Sequence, residues 1–422
     1  MNPDPTIVDA GDTQNRQVSD FELAATDVLQ RLRTSLAGVI AGVPGRVSKP
    51  AELRRALKID MNVSCKVFRV VNASGSMAAG PHVPGLSALR IFLKAARKAG
   101  VRDALVDAAA ESVAAFDRLV TSHAGDRTAF DSMVSSLADT DDVAQITLQH
   151  RRNAYRSQRH IFGFHARAQF KLVVTGPSEA GDRLDFAQIK GLLALRRLRP
   201  NTPLIVSQVY ATDDRGAVCD VGREPIDPVA DQPYGLSLLR EFCSQPLPDY
   251  RTVETAAGTV HSQLLGNGMG NKAAIDYVEG YVSRAACPRY REEIHGVLGN
   301  VAQVRLPCEV LLLDMLIRED TFGQLTPETL ACADHLGEFT SPNLSEEWQR
   351  LDLHEKASYL GKGPDVLFTP DVPRYPELGR HVLDRLGWGD KRFDVYRLRV
   401  EYPVLPSTVV MQINLPEPPP SK

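Results

Sequence analysis

The spacing of apolar residues changes once along this chain, near Phe162, and this change limits the folds open to it. Before that point, apolar residues recur at intervals of three and four, which is typical of amphipathic helices. After it, segments such as 165–174 alternate apolar and polar residues, as half-buried strands do. A length of 422 residues suits two or three domains. The pattern predicts a multidomain chain of class α plus α+β, with a disordered tail at 1–18, a helical domain at 19–160, a larger mixed α/β domain at 161–416 and a Pro-rich tail at 417–422.

Helices are predicted throughout the N-terminal part, and the first of them carries a continuous apolar stripe. The stripe consists of Phe21, Ala25, Val28, Leu32, Leu36 and Val39. It can pack on its own domain or serve a dimer, and the sequence leaves both open. Further helices are predicted at 86–101, 102–122, 127–138, 186–199, 271–286 and 375–387. Strands are predicted in 202–216, 259–265, 304–316, 395–403 and 407–416.

Composition and cysteine placement argue against several classes of protein. No apolar run approaches the roughly 18 residues of a membrane helix, and Asp314 interrupts the longest one, 310–317. The N-terminus lacks the basic start and apolar core of a signal peptide. The six cysteines show no Cys-x-x-Cys spacing, which favours reduced thiols and argues against structural zinc. We therefore predict a cytoplasmic protein with no membrane partner, no metal, no cofactor and no recognisable catalytic group.

Charge is distributed unevenly along the chain. Residues 22–102 carry 14 Lys and Arg against 4 Asp and Glu, a net charge of +10, although the whole chain totals −3. The remainder therefore carries −13. A basic segment joined to an acidic body is expected of a module that binds an anionic partner. A solvated basic face without a partner is the alternative.

Residues 50–71, PAELRRALKIDMNVSCKVFRVV, lie within this basic segment and predict two short amphipathic helices joined by a tight break. We expect Asn62 to cap the second helix with its side chain. The predicted apolar face is formed by Leu53, Ala56 and Leu57 in the first helix and by Val63, Val67, Val70 and Val71 in the second. The order Leu53-x-x-x-Leu57-x-Ile59, a polar break, then Val63-x-x-x-Val67 resembles the helix-turn-helix of bacterial DNA-binding regulators.

This resemblance covers about 20 residues and implies that the second helix enters the major groove of DNA. It implies that base edges are read by Asn62, Ser64, Lys66 and Arg69, and that phosphates are met by Arg54, Arg55 and Lys58. The chain departs from the family at two of these positions. Arg54 stands where the family favours a small residue, and Lys58 where it favours Gly. An ordinary helix pair in an α-rich fold is the alternative interpretation.

A glycine-rich stretch, GNGMGNKAAIDYVEG at 266–280, is the other candidate binding element. Gly266, Gly268 and Gly270 follow a predicted strand and precede a predicted helix, an arrangement that can offer backbone N–H groups to a phosphate. The candidate anion-binding residues are Gly268, Gly270 and Lys272. The P-loop pattern is incomplete, because Asn271 replaces its second Gly and Ala273 its Ser or Thr. A flexible loop is therefore the alternative interpretation.

Two further features leave their interpretation open. The basic run 150–171 interleaves aromatic residues with Arg and Lys, which fits either single-strand stacking or, more simply, a basic helix that leads into a strand. Asp314 lies in an apolar strand, where an ionised carboxylate needs a partner. A buried ion pair, an edge position and a site residue are three explanations for it.

Taken together, these observations predict a DNA-binding transcriptional regulator with a C-terminal ligand-sensing or assembly domain. Its expected partners are duplex DNA, a second copy of itself in a homodimer or other homo-oligomer, and a small-molecule ligand. One alternative is an assembly or scaffold protein whose helix pair is structural. The other is an enzyme with an anion site at 266–272.

Overall fold

The structure, a computed structural model, describes residues 10–418 except 46, 74, 138–140, 210–222, 228–235, 247–248, 255–259, 267, 293–295, 324 and 334–349. The chain divides into two compact units, residues 1–147 and residues 148–422, here called unit 1 and unit 2. Unit 1 is helical and unit 2 is mixed α+β, which confirms the predicted succession of classes.

Unit 1 is built from amphipathic helices. They are α1 (Ala10–Ala41), α2 (Pro50–Leu57), α3 (Met61–Asn72), α4 (Ser76–Ala79), α5 (Leu86–Lys98), α6 (Asp103–Leu119), α7 (Arg127–Leu137) and the start of α8 (Asp141–Phe162). Helix α1 begins at Ala10, so the disordered tail predicted at 1–18 is wrong for residues 10–18. Residues 1–9 lie outside the described part.

The apolar stripe of α1 forms the centre of the unit 1 core. Ala25, Leu32, Leu36 and Val39 are completely buried, and they pack in one cluster with residues of α2, α3, α5, α6 and α7. Burying each of these Leu and Val side chains stabilises the fold by about 1.5–3 kcal/mol. The stripe therefore packs on its own unit, which is the first of the two uses that the sequence leaves open, and not on a second chain.

Helix α8 crosses the boundary between the units, which falls at residue 148 rather than at the predicted 160. Its C-terminal half belongs to unit 2 through polar contacts that the sequence alone does not disclose. Arg151 forms an ion pair with Glu355, and the Tyr155 hydroxyl donates to Glu309 at 3.0 Å. The basic run 150–171 is thus a helix that leads into a strand, as the simpler of its two interpretations held.

Unit 2 contains fourteen strands and one further α-helix among its described residues. The strands are β1 (Phe164–Pro177), β2 (Arg183–Arg197), β3 (Leu204–Val209), β4 (Arg223–Pro225), β5 (Tyr250–Glu254), β6 (Val260–Leu264), β7 (Ile275–Pro288), β8 (Val297–Val304), β9 (Cys308–Arg318), β10 (Glu328–Ala333), β11 (Arg350–Leu351), β12 (Ser358–Lys362), β13 (Phe393–Glu401) and β14 (Ser407–Asn414); the helix is α9 (Tyr375–Arg385).

These strands form three sheets. The largest has seven strands in the order β12-β13-β9-β1-β2-β7-β4, and its pairings are antiparallel except for the parallel pair β1–β9. A four-stranded sheet has the order β11-β10-β14-β8, and a three-stranded sheet the order β3-β6-β5. One face of the seven-stranded sheet packs against α9 and the other against the four-stranded sheet.

Two predicted helices are strands instead. Residues 186–199 lie mostly in β2, and residues 275–286 lie in β7 after a short 3-10 turn at 271–273. Strand β2 is hydrogen-bonded on both sides, to β1 and to β7, and this pairing overrides the local helical spacing of its apolar residues. Predicted strands at 202–216, 259–265, 395–403 and 407–416 are confirmed where described, as is the helix at 375–387. Segment 304–316 holds the end of β8 and most of β9, which Pro307 separates.

Asp314 is one half of a buried ion pair between β9 and β13. The Arg397 guanidinium donates to its two carboxylate oxygens at 2.7 and 3.1 Å, and to the Leu367 carbonyl at 2.8 Å. Burial raises the pKa of Asp314, and the contact with Arg397 opposes that rise. Of the three explanations for this acid, the buried ion pair is therefore the correct one.

Candidate anion-binding cavity

The register of three neighbouring strands brings distant charged residues into one row. Lys171 of β1 lies directly opposite Lys190 of β2, and Lys190 lies opposite Glu279 of β7. Directly opposed residues point to the same face of a sheet, with Cβ atoms about 5 Å apart. On the other side of Lys171 the row continues with Leu313 of β9, which is buried under the four-stranded sheet. The same sheet face therefore changes from apolar to charged between β9 and β1.

A cavity of about 860 Å³ opens over this charged row. Strands β1, β2 and β7 form its floor, β8 forms one wall through Val301 and Gln303, and β3 and β6 contribute Ile205 and His261. Asn300 fixes β8 at this place, because its side-chain amide donates to the carbonyls of Lys171 and Asp314. A volume of this size lies in the range of roughly 300–1,000 Å³ that small-molecule sites occupy.

The Glu279 carboxylate has three partners within the protein. It accepts from Lys190 Nζ at 2.5 Å, from the Tyr277 hydroxyl at 2.5 Å and from the Ser207 hydroxyl at 3.2 Å. Burial and the nearby Arg223 lower the pKa of Lys190 to about 8. A pKa of about 8 already leaves Lys190 mostly charged at neutral pH, and the contact with the Glu279 carboxylate favours the ammonium form further.

Lys171 has a different environment from its neighbour. Its ammonium group donates to the Val301 carbonyl at 2.9 Å, and no carboxylate among the described residues forms an ion pair with it. Burial lowers the pKa of Lys171 to about 7, with Lys190 and Arg223 adding in the same direction. A lysine in this state is about half neutral at pH 7, whereas an ordinary lysine of pKa near 10.4 is almost wholly charged.

Arg223, together with Arg305, completes the positive lining of the cavity. Its guanidinium lies over the Tyr281 ring, 4.6 Å from the centroid, and the Tyr281 hydroxyl donates to Gln188 at 3.2 Å. Among the residues described as lining the cavity, none is Asp or Glu. The arrangement can attract a negative group at the charged row, while apolar and aromatic side chains cover the rest of a ligand. These wall residues include Phe164, Leu192, Ile205, Tyr277, Tyr281 and Leu306.

The helix pair α2–α3 adopts a compact turn. Lys58 ends α2 in the left-handed conformation, at φ 53° and ψ 43°, and α3 begins three residues later at Met61. A Lys thus adopts the positive φ for which the regulators favour Gly. Of the seven predicted DNA contacts, the side chains of Arg54, Arg55, Lys58, Asn62 and Arg69 are exposed and Lys66 is half-buried.

Three details of this helix pair differ from expectation. Ser64 is completely buried and its hydroxyl donates to the Asp60 carbonyl at 3.2 Å, so its predicted place among the base-reading residues is wrong. Asp60, rather than Asn62, caps α3, because its carboxylate accepts from the Asn62 backbone N–H at 2.7 Å. Ala56 is exposed although it was expected on the apolar face. Arg33 of α1 anchors the other end of α3 by donating to the Ala73 carbonyl at 2.6 Å.

The glycine-rich loop does not form the expected helix N-terminus. The Gly270 N–H donates to the Arg197 carbonyl at 2.9 Å, and the next residues form the 3-10 turn that leads into β7. Gly268 lies in the same loop and Lys272 is exposed. The predicted anion site at Gly268, Gly270 and Lys272 therefore lacks the helix dipole on which it depended.

Sequence reasoning did not identify Lys171, Lys190, Glu279 or Arg223 as site residues. The available signal is a Lys inside each of two largely apolar segments, 165–174 and 186–199. Because the second of them predicts a helix, the sequence does not reveal that the two lysines pair across strands. Within the described residues, no group of three or more His, Cys, Asp and Glu is placed to hold a metal. No described helix combines the length and the apolar character needed to span a bilayer. No family model, no curated protein and no solved structure matches this chain.

Proposed function

We propose that unit 2 is a receptor for a small organic anion and that α2 and α3 of unit 1 bind duplex DNA. The two activities together describe a ligand-responsive DNA-binding regulator. The observation that carries the first part is the cavity of about 860 Å³, where Lys171, Lys190 and Arg223 face a lining without described carboxylates.

The expected ligand has a negative group and an apolar body. Lys190 is already paired with Glu279, whereas Arg223 makes no described ion pair and offers a planar guanidinium suited to a carboxylate. The aromatic and aliphatic wall residues suit an apolar chain or ring, and the remaining lining includes polar side chains such as Gln188, Gln303 and Arg305.

Calorimetric titration of the full chain with 4-phenylbutanoate tests this part. The neutral control ligand is 4-phenylbutan-1-ol, which has the same apolar body. We expect the carboxylate to bind at least about tenfold more tightly, since a charge-assisted hydrogen bond contributes about 1.5–3 kcal/mol. Arg223→Gln should remove most of that preference, and Arg291→Gln, at an exposed arginine outside the cavity lining, should not. Equal binding of acid and alcohol, or no binding of either, would refute the receptor.

The second part rests on the turn between α2 and α3 and on the cations around it. The left-handed Lys58 lets α3 follow α2 after a three-residue break, and Arg54, Arg55 and Arg69 are exposed within a segment of net charge +10. Phosphate contacts from such residues supply most of the affinity of a DNA-binding module. Asn62, Lys66 and Arg69 are the proposed base-reading residues that remain after Ser64 is excluded.

Duplex binding by the full chain, measured across salt concentrations, tests the DNA proposal. The double variant Arg54→Gln/Arg55→Gln, at two exposed residues proposed to meet phosphates, should weaken binding and flatten the salt dependence by about one unit per lost phosphate contact. Lys94→Gln/Lys98→Gln removes the same charge from the exposed side of α5 and should have a smaller effect. If the chain shows no salt-dependent affinity for duplex DNA, the proposal is refuted. If both variants lose equal affinity, the binding is non-specific attraction between opposite charges and α2 and α3 are not the DNA-binding element. Regulators of this kind bind paired half-sites as dimers, so two chains per duplex are expected.

A further inference from the structure

We infer that Lys171 is a nucleophilic lysine that forms an imine with a carbonyl group carried by the bound organic anion. The inference deepens the proposed receptor function and rests on it. It assigns the ligand class more narrowly, to oxo acids with an apolar body, and it gives unit 2 a covalent step.

The first argument is the position of Lys171 in the cavity. It lies on β1, near the middle of the seven-stranded sheet, and lines the cavity floor. Its one described hydrogen bond joins Nζ to a backbone carbonyl, that of Val301, at 2.9 Å. No carboxylate of the described residues therefore holds it in the ammonium form, and the neighbouring Lys190 and Arg223 disfavour a further positive charge. Nucleophilic lysines are activated by such surroundings, namely desolvation and a cationic neighbour.

The second argument is the contrast between the two opposed lysines. Lys190 occupies the same face of the sheet, but its contact with Glu279 keeps it charged. The row therefore places a neutral amine beside an ammonium group that can give and take a proton. Imine formation requires both, because one group must attack the carbonyl carbon and another must protonate the departing oxygen.

The reaction balances without an oxidant or a reductant. The lone pair of Lys171 Nζ adds to the carbonyl carbon while the C=O π electrons move to the oxygen, and one proton passes from the nitrogen to that oxygen to give a carbinolamine. Lys190 donates a proton to the hydroxyl group, which leaves as water while the nitrogen lone pair forms the C=N bond. Lys190 then recovers a proton from that nitrogen, so the two hydrogens of the amine end in the water molecule. The carboxylate of the oxo acid stays on Arg223 throughout.

Reductive trapping on the full chain tests the inference with 4-phenyl-2-oxobutanoate as the probe. Sodium cyanoborohydride converts an imine into a stable secondary amine, so the chain should gain the mass of the probe less one oxygen atom. Peptide mapping should place this adduct on Lys171. At neutral pH, labelling of Lys171 should be about a thousandfold faster than that of an exposed lysine, because its neutral fraction is larger by about that factor. The labelling rate should rise through pH 7 rather than through pH 10.

Lys171→Arg should abolish the adduct, whereas the matched exchange Lys391→Arg, at an exposed lysine, should leave it unchanged. 4-Phenylbutanoate, which lacks the oxo group, should bind and give no adduct. If the oxo acid binds but labels surface lysines without preference, or labels Lys171→Arg equally, imine formation is refuted and the receptor function stands. If neither acid binds, the receptor function itself fails. Should Lys171→Arg not fold, the peptide map and pH profile of the unaltered chain still decide.

Discussion

Replacement of Arg397 should show how much the ion pair with the buried Asp314 contributes to the free energy of unfolding. In Arg397→Met the Asp314 carboxylate loses two charge-assisted hydrogen bonds, at 2.7 and 3.1 Å. The Leu367 carbonyl loses the hydrogen bond that it accepts from Arg397. Stranding one charge of a buried pair costs about 3–5 kcal/mol of unfolding free energy. That is a large part of the roughly 5–15 kcal/mol that holds a domain together. Burial already raises the pKa of Asp314, so protonation limits the loss, and we expect about 3 kcal/mol.

Urea denaturation followed by tryptophan fluorescence measures this loss in unit 2 alone, because both tryptophans, Trp348 and Trp388, belong to it. The double variant Asp314→Leu/Arg397→Met replaces the pair by apolar groups and should lie within about 2 kcal/mol of the unaltered chain. Without Arg397, the pKa of Asp314 stands further above its unfolded value, so stability falls as pH rises. The penalty of Arg397→Met should therefore be smaller at pH 5 than at pH 8. A loss below 1 kcal/mol for the single variant, or equal losses for single and double variants, would refute this account.

Three further predictions concern single positions. Lys58→Gly should stabilise unit 1 to thermal unfolding by about 1 kcal/mol, because glycine adopts positive φ without strain. Gly191→Ala should destabilise unit 2 by about 1–3 kcal/mol in urea, since its Cβ would lie 2.2 Å from the Phe170 ring, whereas Gly299→Ala meets only ordinary contacts at 3.6 Å and should cost less. Burial and nearby arginines lower the pKa of His165 to about 4, so its unfolded form binds more protons between pH 6.5 and 4. The free energy of unfolding of unit 2 should therefore fall by about 2 kcal/mol more between pH 7 and pH 5 in the unaltered chain than in His165→Gln.

Unit 1 could be predicted from the sequence because its helices follow one rule. Apolar residues at intervals of three and four mark the buried face, and the stripe of α1 is buried as that rule requires. The capping of α3 shows the limit of such reasoning. Asp60 and Asn62 are both good capping residues, and only the backbone conformation decides that Asp60 fills the position.

Unit 2 was less accessible because its structure depends on pairing between distant segments. Strand β2 contains good helix formers, and its apolar residues suit either a helix or a buried strand. The register that brings Lys190 beside Lys171 and Glu279 exists only after β1, β2 and β7 have aligned. No local pattern specifies that alignment, so the cavity and its charged row could not be read from the sequence.

The alternation of side chains between the two sheet faces along β1, and along β2 around Lys190, restricts how the ligand preference of this protein could change over evolution. Along β1, Phe170 and Leu172 face the core under α9, while Gln169, Lys171 and Val173 face the other side of the sheet. Deletion of one residue of β1 ahead of Lys171 would exchange the two sets and place the Lys171 side chain in the apolar core under α9. The bulge near Ala194, where the register of β2 and β7 shifts, lies beyond Lys190 along β2. Lineages that acquire a new ligand should therefore differ at this floor by substitutions, with gaps confined to the strand ends and loops.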